Sequence, residues 1–260
     1  MPELPEVEYY RRLACRVLGR SVTAVHAPDA WFLKEGLTAE RLAEALEGRT
    51  FTAARRIGKL LLLDIDGGPT VGLRFGMTGR LLVDGAAGVD HLQYSSLRDE
   101  PSWDRVQIGF ADGGDLRVRD PRRLGGVLLE PDESRLGVDA AAVTPAGLRR
   151  VLAGSTAPLK ARLMDQSRLA GVGNLTADEV LYRAGLDPAR PAGSLSPAEV
   201  RRLHRHLRAT LDDLIARGGS HTGALQPERR SDGRCPRDGT ALVRRAIGGR
   251  TSWSCPHHQR

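Results

Sequence analysis

The chain has 260 residues, with 39 Lys plus Arg against 32 Asp plus Glu and a net charge of +7. That length suits one large or two ordinary domains, and the basic balance favours a polyanionic partner, either nucleic acid or an anionic membrane surface. No apolar run approaches the ~20 residues of a membrane span, the acidic N-terminus lacks the basic start and apolar stretch of a secretory leader, and three cysteines cannot form a disulfide framework. A soluble cytosolic protein is therefore expected.

The chain opens MPELPEVEYYRR, with two prolines and three glutamates within its first eight residues. From Pro5 to about Gly19 apolar residues recur at helical spacing, which places Cys15 in the core of an amphipathic helix. The segments SVTAVHA, TFTAARRI, KLLLLDI, TVGLRF, GRLLVD, RVQIGFA, DLRVRD and GGVLLE follow, separated by Gly, Asp and Pro as in an all-β sandwich or barrel. A short helix near Ala39 to Leu46 interrupts them. Residues 1–133 thus read as a β domain with a leading helix.

Beyond PDESRLGVDAAAVTP the texture turns helical through LRRVLAG, PLKARLMDQ, NLTADEVLYRAG and PAEVRRLHRHLRATLDDLIARGG. Ser196 and Glu199 make a capping box, and Gly218-Gly219 stops the longest helix. This second domain spans 134–225. The tail, 226–260, is rich in Arg and Gly and too small to hold a core alone.

Cys235, Asp238, Cys255 and His258 stand in a C-x2-D-x16-C-x2-H spacing, which overlays the four-ligand zinc hairpin with two ligands replaced. His257 competes with His258, and Asp is an uncommon structural ligand; a metal-free hairpin is the other reading. Between the pairs, two basic strand-like pieces around Gly248-Gly249 would present Arg244, Arg245 and Arg250 to phosphates or a DNA groove.

PELPEVE, RIGKLLL, GMTGRL, DPRRLGG, LKARLMDQSRLAGVGNLTADE and the tail pieces CPRDGT and GGRTSWSC resemble, in that order, the motifs of the formamidopyrimidine-DNA glycosylase and endonuclease VIII family. The resemblance covers essentially the whole chain. It implies an α+β multidomain fold: an N-terminal β-sandwich with a leading helix, a helix-two-turn-helix domain and a C-terminal zinc-finger-like β-hairpin. It also implies base-excision repair of damaged double-stranded DNA by a bifunctional glycosylase and abasic-site lyase, with the damaged nucleotide flipped out of the stack. Structural zinc, no organic cofactor, a monomer, and a cytoplasmic, nucleoid-associated bacterial location complete the expectation.

Under this resemblance the opening motif acquires a chemical reason. Removal of Met1 would make Pro2 a terminal secondary amine, and an α-amine titrating near 8 is roughly 10²–10³ times more often unprotonated at neutral pH than a lysine near 10.4. Its attack on a deoxyribose C1′ expels the base and leaves an iminium that acidifies C2′. Glu3 matches the family's catalytic acid and base, and Glu6 a residue that assists proton movement, whereas Glu8 needs only the helix dipole. Lys59 matches the lysine that holds a phosphate beside the lesion. Met77 matches the residue filling the vacated stack, Arg122 and its neighbour Arg123 the arginine motif reaching the orphaned base, and Leu124 a wedge that is phenylalanine in formamidopyrimidine glycosylases. Lys160 and Asn174 match DNA-contacting positions, Asn174 also reading as a helix N-cap at a phosphate site, and Arg250 matches the finger arginine on the lesion phosphates.

Three departures from the family pattern bear on specificity. Arg74 replaces a histidine, Trp103-Asp104-Arg105 replaces an HDH stretch, and the segment from Gly219 to Cys235 is short where a longer loop covers flipped 8-oxoguanine. The short segment favours oxidised pyrimidines or ring-opened and hydantoin lesions. The altered stretches also admit an alternative, a catalytically impaired paralogue that binds damaged or abasic DNA.

Overall fold

The computed structural model describes residues 2–89, 92 and 98–260. The chain divides into two compact units, Met1–Glu133 and Ser134–Arg260. In the first, α1 (Leu4–Ala14) precedes β1 (Val22–His26), α2 (Ala39–Leu46), β2 (Phe51–Ile57), β3 (Leu60–Ile65), β4 (Val71–Arg74), β5 (Arg80–Val83), β6 (Ala86–Ala87), β7 (Asp104–Phe110), β8 (Asp115–Arg119) and β9 (Gly126–Leu129). The strands form two antiparallel sheets, ordered β1-β7-β8-β5-β6 and β2-β3-β4-β9. Each of the eight segments marked off by Gly, Asp and Pro contains a strand; β6, two residues long, is too short to show a pattern.

Alternation places Val106, Ile108 and Phe110 of β7, Leu116 and Val118 of β8, and Leu61, Leu63 and Ile65 of β3 in one core. Helix α1 joins that core through Val7, Tyr10 and Ala14, and these and Leu4 are all fully buried. Their three- and four-residue spacing makes one helical stripe, and the Tyr10 hydroxyl donates to the Gly79 carbonyl at 3.0 Å. Cys15 departs from its expected place in the core: α1 ends at Ala14, a 3-10 turn over Cys15–Val17 breaks the helical period, and the thiol is exposed.

The second unit contains β10 (Val138–Asp139), α3 (Pro145–Leu152), α4 (Leu159–Leu163), β11 (Leu169–Ala170), α5 (Asn174–Ala184), α6 (Pro197–Ala216), β12 (Val243–Ile247) and β13 (Arg250–Ser254). β10 and β11 pair in parallel, and β12 and β13 form the antiparallel tail hairpin. Gly248 and Gly249 both take positive φ, 57° and 71°. That is the backbone of a two-residue I′ turn and accounts for the Gly-Gly pair. The tail shares a small core with α5: Tyr182 and Leu225 pack with Cys235, Leu242, Trp253 and Cys255. Among the described residues, no helix is long and apolar enough to cross a membrane.

The capping box of α6 is formed: Ser196 N–H donates to Glu199 Oε2 at 2.8 Å, and Glu199 N–H to Ser196 Oγ at 3.3 Å. Arg190 adds a guanidinium fork at 2.7 and 3.0 Å, and this fork, followed by the Ser196 amide, lowers the Glu199 carboxyl from 4.5 to about 2. The folded value lies below the unfolded one. The contribution is therefore present above pH 4.5 and is lost as pH falls toward 2. Glu199→Gln should cost about 1–2 kcal/mol at pH 7, allowing for solvent screening, and little near pH 2; chemical denaturation of both forms at the two pH values measures this.

Candidate functional site

The buried stripe of α1 immobilises the chain end. Pro2 is buried, and Glu3 and Glu6 are each 1 % exposed. Glu3 is the N-cap in extended conformation, and Glu6, three residues on, completes a capping box in which its Oε2 accepts the Glu3 amide at 2.8 Å. Capping alone accounts for the placement of Glu6. Met1 lies outside the described residues. Glu8, assigned to the helix dipole, instead faces Arg11 at 2.8 Å, Arg12 at 3.1 Å and Arg56 at 3.4 Å. Burial alone would raise its pKa, but these guanidinium groups outweigh it and hold the carboxyl low.

Lys59 is half-buried in the two-residue turn closing the β2–β3 hairpin. Gly58 before it takes φ 58°. Positive φ at the first central position is the II′ pattern, so glycine here sets where the lysine projects.

Two further loops of the first unit meet on one buried carboxylate. Asp120, 0 % exposed, accepts from Thr78 Oγ1, from the Arg122 amide at 3.2 Å and from the Gly125 amide at 2.8 Å. It ties the Gly76–Thr78 turn to residues 120–125. Gly76, at φ 55°, lies so close to the second loop that a Cβ would stand 2.4 Å from the Leu124 carbonyl carbon. The result is a joint platform carrying Met77, Arg122, whose Nη1 is 3.7 Å from Met77 Sδ, and Leu124, half exposed. Arg123 faces elsewhere. Its half-exposed guanidinium grips Asp29 with two 2.6 Å bonds while its backbone holds φ 56°, so it also secures the loop.

The HDH-replacing stretch is likewise internally paired: Asp104 binds Arg119 at 2.6 Å, and Arg105 donates to the Asp120 carbonyl at 2.9 Å. Arg74, at the end of β4, is exposed.

In the second unit Lys160 corrects its expected place at a DNA surface. It is 0 % exposed, with Nζ 2.8 Å from Asp178 Oδ1 and donating to the Thr251 carbonyl at 3.0 Å. Asp178 also pairs with Arg229 and accepts from Ser252 Oγ at 2.7 Å and the Trp253 amide at 3.2 Å. A lysine on the short helix α4 and an acid on α5 therefore clasp the tail hairpin. Sequence shows none of these partners, because the pair is 18 residues apart and the hairpin lies further still. The Gly248 turn completes the clasp, a Cβ there falling 2.8 Å from Ala161 Cβ.

Asn174 is the first residue of α5 and Gly173 its N-cap, so Asn174 lies one position inside the expected cap. Its Oδ1 is buried without a partner in the described structure. Arg250 is exposed at the hairpin turn and Arg244 is exposed along β12, whereas Arg245 is committed to Asp187 and to Ser254 Oγ at 3.0 Å.

The tail brings Cys235, Asp238, Cys255 and His258 together, one ligand atom from each lying within 4.8 Å of the others. Cys235 Sγ is 3.5 Å from His258 Nδ1, Cys255 Sγ 3.5 Å from Asp238 Oδ2, and His258 Nδ1 3.4 Å from that same oxygen. Zinc bonds of ~2.0–2.3 Å in a tetrahedron imply ligand separations of about 3.3–3.8 Å, and these edges match. Of the two candidate imidazoles, His258 is the one in the cluster: its Nε2 lies 3.1 Å from the Tyr182 carbonyl, an arrangement that leaves Nδ1 able to accept a metal, whereas His257 is two-thirds exposed. The Thr240 amide and hydroxyl hold the Asp238 carboxyl well below the usual carboxylate range, while burial pushes the Cys235 thiol up to about 11. Metal binding must displace that thiol proton. The donor set therefore fits a closed structural zinc site.

These features define a class. The N-terminal domain model described as "Formamidopyrimidine-DNA glycosylase N-terminal domain" matches residues 1–127, and that described as "Formamidopyrimidine-DNA glycosylase H2TH domain" matches residues 136–225. The chain belongs to the formamidopyrimidine-DNA glycosylase family. It is 36 % identical over 284 residues to the formamidopyrimidine-DNA glycosylase of Paracoccus denitrificans, covering 98 % of this chain and 99 % of that protein. To its counterpart in Alkalilimnicola ehrlichii it is 36 % identical over 291 residues, covering 100 % of both. Its fold is similar to Lactococcus lactis Fpg in complex with abasic-site DNA (TM-score 0.83, 25 % identity, 100 % of both chains). It is equally similar to the same protein in complex with Fapy-dG DNA (TM-score 0.83, 26 % identity, 99 % and 100 %).

Lys160→Met should destabilise the second unit by about 3 kcal/mol, since it removes one cation from a buried carboxylate. Denaturation of the full chain, followed through the buried Trp253, reads the loss directly.

Proposed function

We propose that this chain is a bifunctional DNA glycosylase and abasic-site lyase of base-excision repair, acting on oxidised bases in duplex DNA. The observation that carries the reading is the buried, capped start of α1, which holds Pro2 and Glu3 at a fixed place in a family whose relatives bear glycosylase names over full length. An idle terminus would fray.

In the proposed reaction Met1 is removed and the Pro2 nitrogen, a secondary amine, attacks C1′ of the damaged nucleotide. The C1′–N bond to the base breaks, the base leaves with a proton, and the sugar ring opens to an iminium linking Pro2 to C1′. Glu3 serves as acid and base at the opened sugar, with Glu6 assisting proton movement. Loss of a C2′ proton then expels the 3′ phosphate and nicks the strand. Lys59, Asn174 and Arg250 hold phosphates around the lesion, Asn174 being supported by the N-terminus of α5. Met77 and Leu124 fill the vacated stack, and Arg122 meets the orphaned base.

Functionally the chain divides into a catalytic domain (1–133), a helix-two-turn-helix domain (134–225) and a finger (226–260). It works as a monomer on nucleoid DNA in the bacterial cytoplasm. Cys235, Asp238, Cys255 and His258 would hold zinc, whose role is to close the finger. The compact 219–235 segment favours oxidised pyrimidines and ring-opened or hydantoin lesions over 8-oxoguanine; it is stitched down where Glu179 accepts the Ala224 and Leu225 amides at 3.1 and 2.9 Å.

Borohydride treatment with abasic-site duplex should leave a covalent adduct mapping to Pro2. Pro2→Gly, or a chain retaining Met1, should lower adduct yield at least about 100-fold, a loss of the scale tied to an activated nucleophile. A full-yield adduct on another residue refutes the mechanism. Metal analysis should find one zinc per chain, lost in Cys235→Ser and His258→Ala; a metal-free, fully folded preparation refutes the ligand set.

A further inference from the structure

The two most exposed large apolar side chains among the described residues are Trp31, at 68 %, and Leu124, at 50 %. Single exposed apolar residues are ordinary. These two, however, stand on segments fastened to one another. The Asp29 carboxylate accepts the Trp31 amide at 3.2 Å and binds the Arg123 fork at 2.6 Å, joining the residue beside Leu124 to the turn that carries Trp31. Two residues further on, Leu33 bridges Val127 in parallel and the Lys34 amide donates to the Val127 carbonyl at 2.9 Å. Phe32, fully buried, lies beneath. Trp31 is thus an exposed indole on a fixed backbone.

Its charge setting is selective. Asp29 is neutralised by Arg123 and by Arg105 at 3.6 Å, and these cations lower its pKa despite burial. Lys34 remains, with Nζ 5.1 Å from the indole centroid and donating to the Trp31 carbonyl at 2.6 Å. An aromatic face with an adjoining ammonium recognises a base or sugar next to a phosphate.

We propose that Trp31 and Lys34 form a contact site for the DNA strand opposite the lesion, Trp31 supplying beside the wedge the aromatic surface that Leu124 lacks. The proposal rests on the glycosylase reading above. The opposite strand is favoured because Trp31 is fastened to the Arg122–Leu124 loop, which that reading assigns to the orphaned base. The indole stacks on the nucleotide flanking that base, and Lys34 meets its phosphate.

The test measures binding of the full chain to duplexes bearing a non-cleavable abasic analogue opposite each of the four bases. Trp31→Ala should weaken binding about 5- to 100-fold, the range of one aromatic–base stack, and alter the ranking of opposite bases. Trp31→Phe should restore most of the loss, and Lys34→Gln should reduce the salt slope by about one. Trp31→Ala should leave the denaturation midpoint unchanged, since the ring is exposed. Trp31→Ala binding all four duplexes within twofold of the unsubstituted chain overturns the proposal and leaves the glycosylase reading intact, as does an effect seen equally on abasic single strands. An unsubstituted chain with no preference for abasic over intact duplex overturns both.

Discussion

A chain terminus can take part in chemistry only if it is held still, and here the holding is done by hydrophobic burial. Val7, Tyr10 and Ala14 lock α1 into the sandwich core, with the Tyr10 hydroxyl bonded to Gly79, and Leu4 is buried at the start of the same stripe. Because a helix transmits position along its axis, fixing that stripe fixes Glu3 and Pro2 at its start. The capping box makes the exit from the helix as definite as the helix itself. The apolar residues of the opening motif are therefore as necessary to its proposed chemistry as its carboxylates.

A second theme is the use of buried acids to organise a basic protein. Asp120 joins the Met77 and Arg122 loops, Asp29 secures Arg123, and Asp178 clasps Lys160, Arg229 and the tail hairpin. Asp29 and Asp178 each hold two cations that would otherwise repel one another, whereas Asp120 acts through a hydroxyl and two backbone amides. The cations left exposed, among them Arg122, Arg244 and Arg250, are available to an outside polyanion. The net charge of +7 thus understates the division between structural and available cations.

The tail shows how several weak devices add up. Its hairpin turn, its small core against Tyr182, the Asp178 clasp and the four-residue ligand cluster all point to one docked geometry. With Asp and His in place of two thiolates of the usual set, three ligand separations remain within the zinc range, and the Tyr182 carbonyl orients the imidazole. The hairpin is thus tied to α5 by contacts independent of any metal.

Local order was legible in the amino-acid sequence. Short strand-like segments punctuated by Gly, Asp and Pro marked eight strands, Ser196 and Glu199 marked the start of α6, and Gly248-Gly249 marked the tail turn, because each depends on residues within a few positions of one another. Motif order likewise marked the family, and the ligand spacing marked the cluster that the fold assembles. What only the tertiary structure decided was which charged residues face solvent. Lys160 is enclosed beside Asp178, Arg123 is half exposed yet tied to Asp29, Cys15 leaves the core because α1 stops one residue earlier, and Trp31 stands exposed beside a loop some 90 positions away. The physical reason is that a charge pair or a solvent-facing ring is settled by distance in space, which local periodicity does not encode.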